Sequence, residues 1–285
     1  MRRRAGTGNG IIALLIVLVL IVTIIFFIGV GESIWSAWKD STEQGDTLVT
    51  SKTTQEDESL KVTKEKDRLD AFAEENGLLR TAWPKELIEL FEANPDAEAF
   101  VLNYPLKKDE KYEVDLSEYL GNETLPLFMQ WDERWGYTIY GSNVMGLTGC
   151  GPTCLSMVLV HLLQDAVYTP RYVADFAEEN KYYTKGSGSK WTLISEGGET
   201  LGLDVTELPL DENRMKKELG KGNPVICIMG PGDFTKAGHF IVLRGVEDGK
   251  FIVNDPNSVE NSERLWSYDE ISGQIKNLWA CKRPE

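Results

Sequence analysis

Three residues stand out as able to do chemistry together. Cys150 lies in Gly149-Cys150-Gly151-Pro152-Thr153-Cys154, a glycine-rich turn running into an apolar stretch. Proline suits the first turn of a helix, so the sequence places Pro152 at the first helical position and Cys150 within a turn of that end. The partial positive charge there favours a thiolate, the form of cysteine that attacks a carbonyl carbon. The same pattern also fits an inert buried cysteine ahead of a helix. His239 follows the loop Gly230–Gly238 and opens the apolar run His239–Val242, a placement that suits a base as well as a structural histidine. His161 is the other histidine. It falls in the middle of the helix expected after Cys150, about 16 Å along its axis, and so cannot be that cysteine's partner.

Asp255 ends a second apolar run, Lys250–Asp255, joined to the His239 run through Asp248-Gly249. Asp-Gly between two such runs is a two-residue hairpin signal. The hairpin is expected to bring His239 and Asp255 side by side, within about a residue of register. Asp255 could then orient the imidazole toward the thiol, as the third member of a nucleophile–base–orienter set. Its alternative is a plain Asp-Pro turn. Acyl chemistry also needs donors for an oxyanion. The backbone N–H of Cys150 is one, and the Gln130 amide is the candidate for the second. Trp131, Gly149, Gly151 and Gly238 are the candidate groove residues, Trp131 fitting a core position equally well.

The elements that must position these groups are legible from pattern. Pro152–Gln164 reads as an apolar helix. Thr169-Pro170 opens another, with Val173, Phe176 and Ala177 on its apolar face. A third runs from Lys190 to about Leu201, and a fourth is capped by Asp211 and ended by Gly220. Strands follow at Pro224–Gly230, His239–Glu247 and Lys250–Asp255, with a last one at Asn277–Lys282. Helices first and antiparallel strands second make the class α+β. Upstream, Lys85–Asn94 reads as a helix stopped by Asn94-Pro95, and Phe100-Val101-Leu102 reads as a short strand. Residues 69–122 are taken as a helical extension packed on a main domain at 123–285.

The first 68 residues differ in kind. Ile11–Val30 is a stretch of 20 residues without a charge, preceded by Arg2, Arg3 and Arg4 and followed by Trp35 and Trp38. At about 1.5 Å per residue it matches the roughly 30 Å of a bilayer core. The arginines place residues 1–10 in the cytoplasm and the tryptophans suit the opposite interface. A cleaved signal peptide is the competing reading, with a shorter apolar region and a small-x-small site. Residues 31–68 read as an interface and tether, the stretch from Lys39 to Arg68 being polar throughout but for Leu48, Val49, Leu60 and Val62. The expectation is a single-pass anchor with its C-terminal domain outside the cell, on a surface of Gram-positive type. Net charge is −15, and every charge before Glu32 is positive, so the outer part is more acidic still. That excludes nucleic acid as a natural partner. Cys150 and Cys154 have no second pair at zinc spacing, so neither a metal nor a cofactor is expected. Cys154 and Cys227 sit in apolar runs and read as core, though one disulfide among Cys154, Cys227 and Cys281 is open.

These motifs, taken in order, resemble a known family. Gln130 with Trp131 and Trp135, Tyr140-Gly141, Gly149–Thr153 followed by Leu155-Ser156-Met157, Gly238-His239-Phe240 and Asp255-Pro256 resemble the papain-like fold. More closely, they are similar to stand-alone relatives of the bacteriocin-processing (double-glycine leader) peptidases, family 39 of the cysteine peptidases. The resemblance implies Cys150 as nucleophile, His239 as base, Asp255 as orienter and Gln130 as oxyanion donor, acting on a peptide or protein, cell-wall peptide included. Gln130 stands farther ahead of the cysteine than in the transporter-fused members. No ABC exporter follows Glu285, so processing coupled to export is not expected. Two other readings use the same fold: a catalytically silent peptide- or cell-wall-binding module, and a transglutaminase-like acyl transferase. Oligomeric state is left open.

Overall fold

A computed structural model describes residues 68–186 and 188–284. The anchor, the cytoplasmic N-terminus and almost all of the tether lie outside the described residues. Among the described residues no helix is long and apolar enough to cross a membrane. The described residues belong to one compact unit.

That unit opens with a helix over 68–75, then α1 (Lys85–Ala93) and α2 (Glu98–Lys107). In α1, Leu87 and Phe91 are buried on one face, as their i,i+4 spacing demands. Asn94 ends it and accepts from the Asp96 N–H, starting a tight 3₁₀ turn at Pro95. Phe100-Val101-Leu102 is not a strand; it lies inside α2. Three apolar residues carry no period of their own, and the acidic first turn after Pro95 decides for helix. Pro105 sits within α2 and supplies no N–H to the Val101 carbonyl four residues back. The Trp83 indole takes that carbonyl instead, at 2.7 Å. Phe100, Val101, Leu87 and Trp83 join Tyr137 and Val144 of the following segment in one apolar cluster.

Next come α3 (Cys150–Leu163) and α4 (Pro170–Glu179). Every residue of α3 from Gly151 to Val160 is buried, so this is a central helix, enclosed all round and mostly apolar. Helix α4 starts as expected, with the Thr169 hydroxyl accepting from the Tyr172 N–H and Pro170 at the first turn. The segment expected as a helix from Lys190 is helical over Leu193–Thr200, wide-wound (π) to Gly197 and α-helical thereafter. It leads into β1 (Asp204–Glu207). Helix α5 (Glu212–Leu219) is capped by Asp211 and closed at Gly220.

The sheet is completed by β2 (Val225–Met229), β3 (His239–Glu247), β4 (Lys250–Asn254), β5 (Leu265–Trp266) and β6 (Ile275–Lys282). Its order is β1-β6-β2-β3-β4-β5, with every neighbouring pair antiparallel. Side chains alternate across it. Ile226, Ile228, Phe240 and Val242 pack on the α3 side. Val225, Cys227, Ile241 and Leu243 pack on the other, against Met215 and Leu219 of α5. Both faces are covered, which is why these strands read as unbroken apolar runs.

Candidate active site

Cys150 is the first residue of α3, with Gly149 in the capping position. The helix therefore starts two residues earlier than the proline suggested, and Pro152 is its third residue. Proline is still tolerated there, because the first four N–H groups of a helix have no intrahelical acceptor. The helix end that favours a thiolate thus coincides with Cys150 itself. One turn on, the buried Cys154 thiol donates to the Phe240 carbonyl at 3.3 Å, fixing α3 against β3 one residue past His239.

His239 starts β3 and is 7% exposed; Asp255, just past β4, is 1% exposed. The imidazole Nε2 donates to Asp255 Oδ1 at 2.7 Å. The strand pairing that achieves this differs from a plain hairpin. Asp248 and Gly249 form the turn, both at positive φ, and Glu247 faces Lys250. Between Leu243 and Gly245 the register shifts, Arg244 being the extra residue, so that Val242 faces Asn254. Asp255 consequently lies diagonal to His239 rather than opposite it. Without the bulge, Asp255 would share its side of the hairpin with Phe240. With it, the parity changes and Asp255 shares the side of His239. Diagonal neighbours are within reach of such side chains.

Asp255 is held from several directions. Its Oδ1 also accepts from the Asn257 N–H at 2.9 Å, and its Oδ2 accepts from Asn261 Nδ2 at 2.8 Å. Its own N–H donates to Ser262 Oγ at 2.9 Å. Asn261 and Ser262 belong to the short helix Val259–Glu263, capped by Ser258. These two were missed in the sequence; the Ser258-x-x-Asn261 capping spacing right after Asp255-Pro256 was the available signal.

The electrostatics of the pair are complementary. Burial pushes the Cys150 thiol up, but hydrogen bonding and charge from His239, with backbone donors at Phe240 and Gly151, bring it net below the ordinary value. Burial pulls His239 down, but Asp255 and then Cys150 outweigh it and raise the imidazole to about 10. With Nε2 committed to Asp255, Nδ1 is the ring nitrogen left for sulfur. His161, remote on α3, is shifted the other way, lowered by burial.

Gln130 is buried, its Nε2 donating to the Gly146 carbonyl at 2.9 Å and its Oε1 without a partner among the described residues. An amide carries two N–H donors, so one remains beyond the Gly146 bond. Its backbone N–H donates to the Pro256 carbonyl at 2.7 Å, tying the Gln130 segment to the Asp255 turn.

A cleft of about 540 Å³ opens at Cys150. Gly238 lines it together with Met229, Gly230, Trp191, Tyr183 and Asn143. The other three candidate groove residues are placed elsewhere. Trp131 is half-buried against the helical extension, its indole donating to the Asn257 carbonyl. Gly149 is buried, and a Cβ there would stand 2.6 Å from the Met145 carbonyl. Gly151 is pressed against Ser189, whose Oγ would lie 2.5 Å from a Cβ. These two glycines allow close packing under the nucleophile rather than approach by a ligand. Trp191, 46% exposed on the cleft wall, is the aromatic that the sequence did not single out. Cys154, Cys227 and Cys281 are buried free thiols.

Residues 123–282 match the model of the Peptidase_C39-like family. The chain belongs to that family. Its α+β architecture, helices with a six-stranded antiparallel sheet, is that of the family's papain-like fold. Two solved structures are similar to part of the chain. One is the peptidase domain of Streptococcus ComA, a bifunctional ABC transporter involved in a quorum-sensing pathway. It is 19% identical, covers 48% of this chain and 93% of that domain, and has a TM-score of 0.39. The other, a candidate C39-like peptidase from Bacillus anthracis, is 18% identical, covers 62% of this chain and 100% of its own, and has a TM-score of 0.34. No curated protein matches the chain.

Proposed function

We propose that this chain is a membrane-anchored, outward-facing cysteine peptidase that hydrolyses peptide bonds through Cys150, His239 and Asp255. The observation that carries the reading is the buried 2.7 Å contact between His239 and Asp255, with the lowered thiol of Cys150 on the imidazole's other side. Family membership makes a peptide the natural substrate. The Cys150 thiolate attacks the peptide carbonyl carbon, and the carbonyl oxygen takes the negative charge. The Cys150 backbone N–H and the remaining Gln130 N–H donate to that oxygen. As the C–N bond breaks, His239 gives its proton to the leaving amine, and a thioester remains on Cys150. His239 then takes a proton from water, whose oxygen attacks the thioester and releases a carboxylic acid and the Cys150 thiolate, restoring the starting thiolate and protonated imidazole. Asp255 holds the ring in one orientation throughout and stabilises its protonated form.

The anchor at residues 11–30, the tether, the extension at 69–122 and the peptidase domain at 123–285 remain the organisation we propose from sequence. Incubating the full-length protein with a peptide library in ¹⁸O-enriched water tests the reaction. Hydrolysis places one solvent oxygen in each new C-terminus, and Cys150→Ala abolishes it. Absence of cleavage products, or acyl transfer to an added amine without ¹⁸O uptake, defeats the proposal.

A further inference from the structure

The protein carries a net charge of −15, yet the charged side chains lining the cleft are Lys190 and Lys276, with no Asp or Glu among the described lining residues. Among the described residues neither ammonium is paired with a carboxylate. An acidic protein that keeps carboxylates out of its cleft and leaves two lysines there has a wall suited to an anion.

Lys276 is placed there by the backbone. Ile275 faces Met229 and Asn277 faces Ile228, so Lys276 is the extra residue of a β-bulge. Bulges beside active sites re-aim a side chain. The lysine stem lies over Gly230, where a Cβ would overlap Lys276 Cε, so the glycine leaves room for it. Ile275, Met229 and His239 form a row across β6, β2 and β3. Two strand spacings separate the ends of that row by about 10 Å. An extended peptide advances about 3.3 Å per residue, so this distance corresponds to roughly three residues. Lys190 precedes Trp191, whose ring packs on Trp279 of β6.

We infer that Lys276, with Lys190 on the same cleft, is a carboxylate-recognising subsite, and that the preferred peptide carries a negative group about three residues from the bond that is cut. The inference rests on the reading of Cys150 as the reacting thiol. The carboxylate comes from an Asp or Glu side chain or from a free C-terminus.

The probes are N-iodoacetyl alanine peptides that alkylate Cys150 in the full-length protein. One set is amidated and carries Glu or Gln at the second, third or fourth position. A further all-alanine pair differs only in a free or amidated C-terminus. One exposed charge pair predicts alkylation about two- to fivefold faster for the matched anionic peptide. Lys276→Gln should bring the ratio toward one, and Lys276→Glu should reverse it. A gain confined to internal Glu assigns a side chain; a gain for the free C-terminus assigns the α-carboxylate. Equal rates within every pair, or a preference that survives Lys276→Glu, overturns the inference. Plain iodoacetamide, run in parallel, reports on the thiolate alone. Slow labelling there defeats the Cys–His pairing, while the peptide ratios still report on Lys276.

Discussion

Asp255→Asn separates the charge of the orienting residue from its shape. The substituted amide can still accept from His239 Nε2, so the 2.7 Å contact can persist while its charge is lost. Asp255 is the largest of the influences that raise His239, and burial opposes it. A rise from 6.5 to about 10 is worth on the order of 5 kcal/mol between the two protonation states. A unit charge at about 4 Å and an effective dielectric near 20 supplies about 4 kcal/mol of that, or roughly three pKa units. The substitution should therefore return His239 to the ordinary imidazole range or below it. Long-range ¹⁵N–¹H correlation spectra of the histidine rings read this directly. The chain has two histidines, and His161, lowered by burial, serves as an internal reference. A His239 that titrates in Asp255→Asn where it does in the wild type would refute the assignment of Asp255 as the source of the shift.

Other expectations follow from the same geometry. Asn261→Ala removes the 2.8 Å donor to Asp255 Oδ2 and leaves a buried carboxylate oxygen short of a partner. It should cost about 2 kcal/mol in urea denaturation, and a loss below about 0.5 kcal/mol would contradict the role given to it. Gly151→Ala drives a methyl into Ser189. It should destabilise by about 1–3 kcal/mol and slow alkylation of Cys150; an unchanged rate would show that the packing beneath the thiol does not set its position. For kcat/KM against pH, the signs run oppositely for the two groups. The lowered Cys150 thiol keeps its reactive thiolate above its own pKa and loses it as pH falls, so the acid limb lies below the range of an ordinary thiol. His239 remains an acid until about 10 and loses its proton above that, which sets the alkaline limb; a profile still rising at pH 10 would contradict this.

The parts of the fold that rest on local chemistry were legible in the sequence. Thr169 and Asp211 cap their helices through their own side chains, and Asp248-Gly249 turns the hairpin because both residues must take positive φ. The turn brought His239 and Asp255 near each other, the mid-helix place of His161 left His239 as the partner for Cys150, and the family resemblance joined the three. What stayed hidden depends on long-range packing. The bulge at Arg244, which sets the parity of Asp255, has no signature in a run of apolar residues. The same is true of the bulge that turns Lys276 to the cleft. Gly149 and Gly151 look like groove residues until Met145 and Ser189 are seen against them. Phe100-Val101-Leu102 could not declare its helix, because the carbonyl bond lost to Pro105 is replaced by Trp83 from outside it.

The central claim is that Cys150 reacts as a thiolate because His239 holds it so. The rate of iodoacetamide labelling against pH, with His239→Ala beside the wild type, tests it most directly. The other three cysteines are buried and their thiols are raised by burial, so the native signal comes from Cys150. The account predicts fast labelling that persists well below the free-thiol value of about 8.5 and disappears in His239→Ala. Labelling that follows an ordinary thiol in both proteins would contradict it.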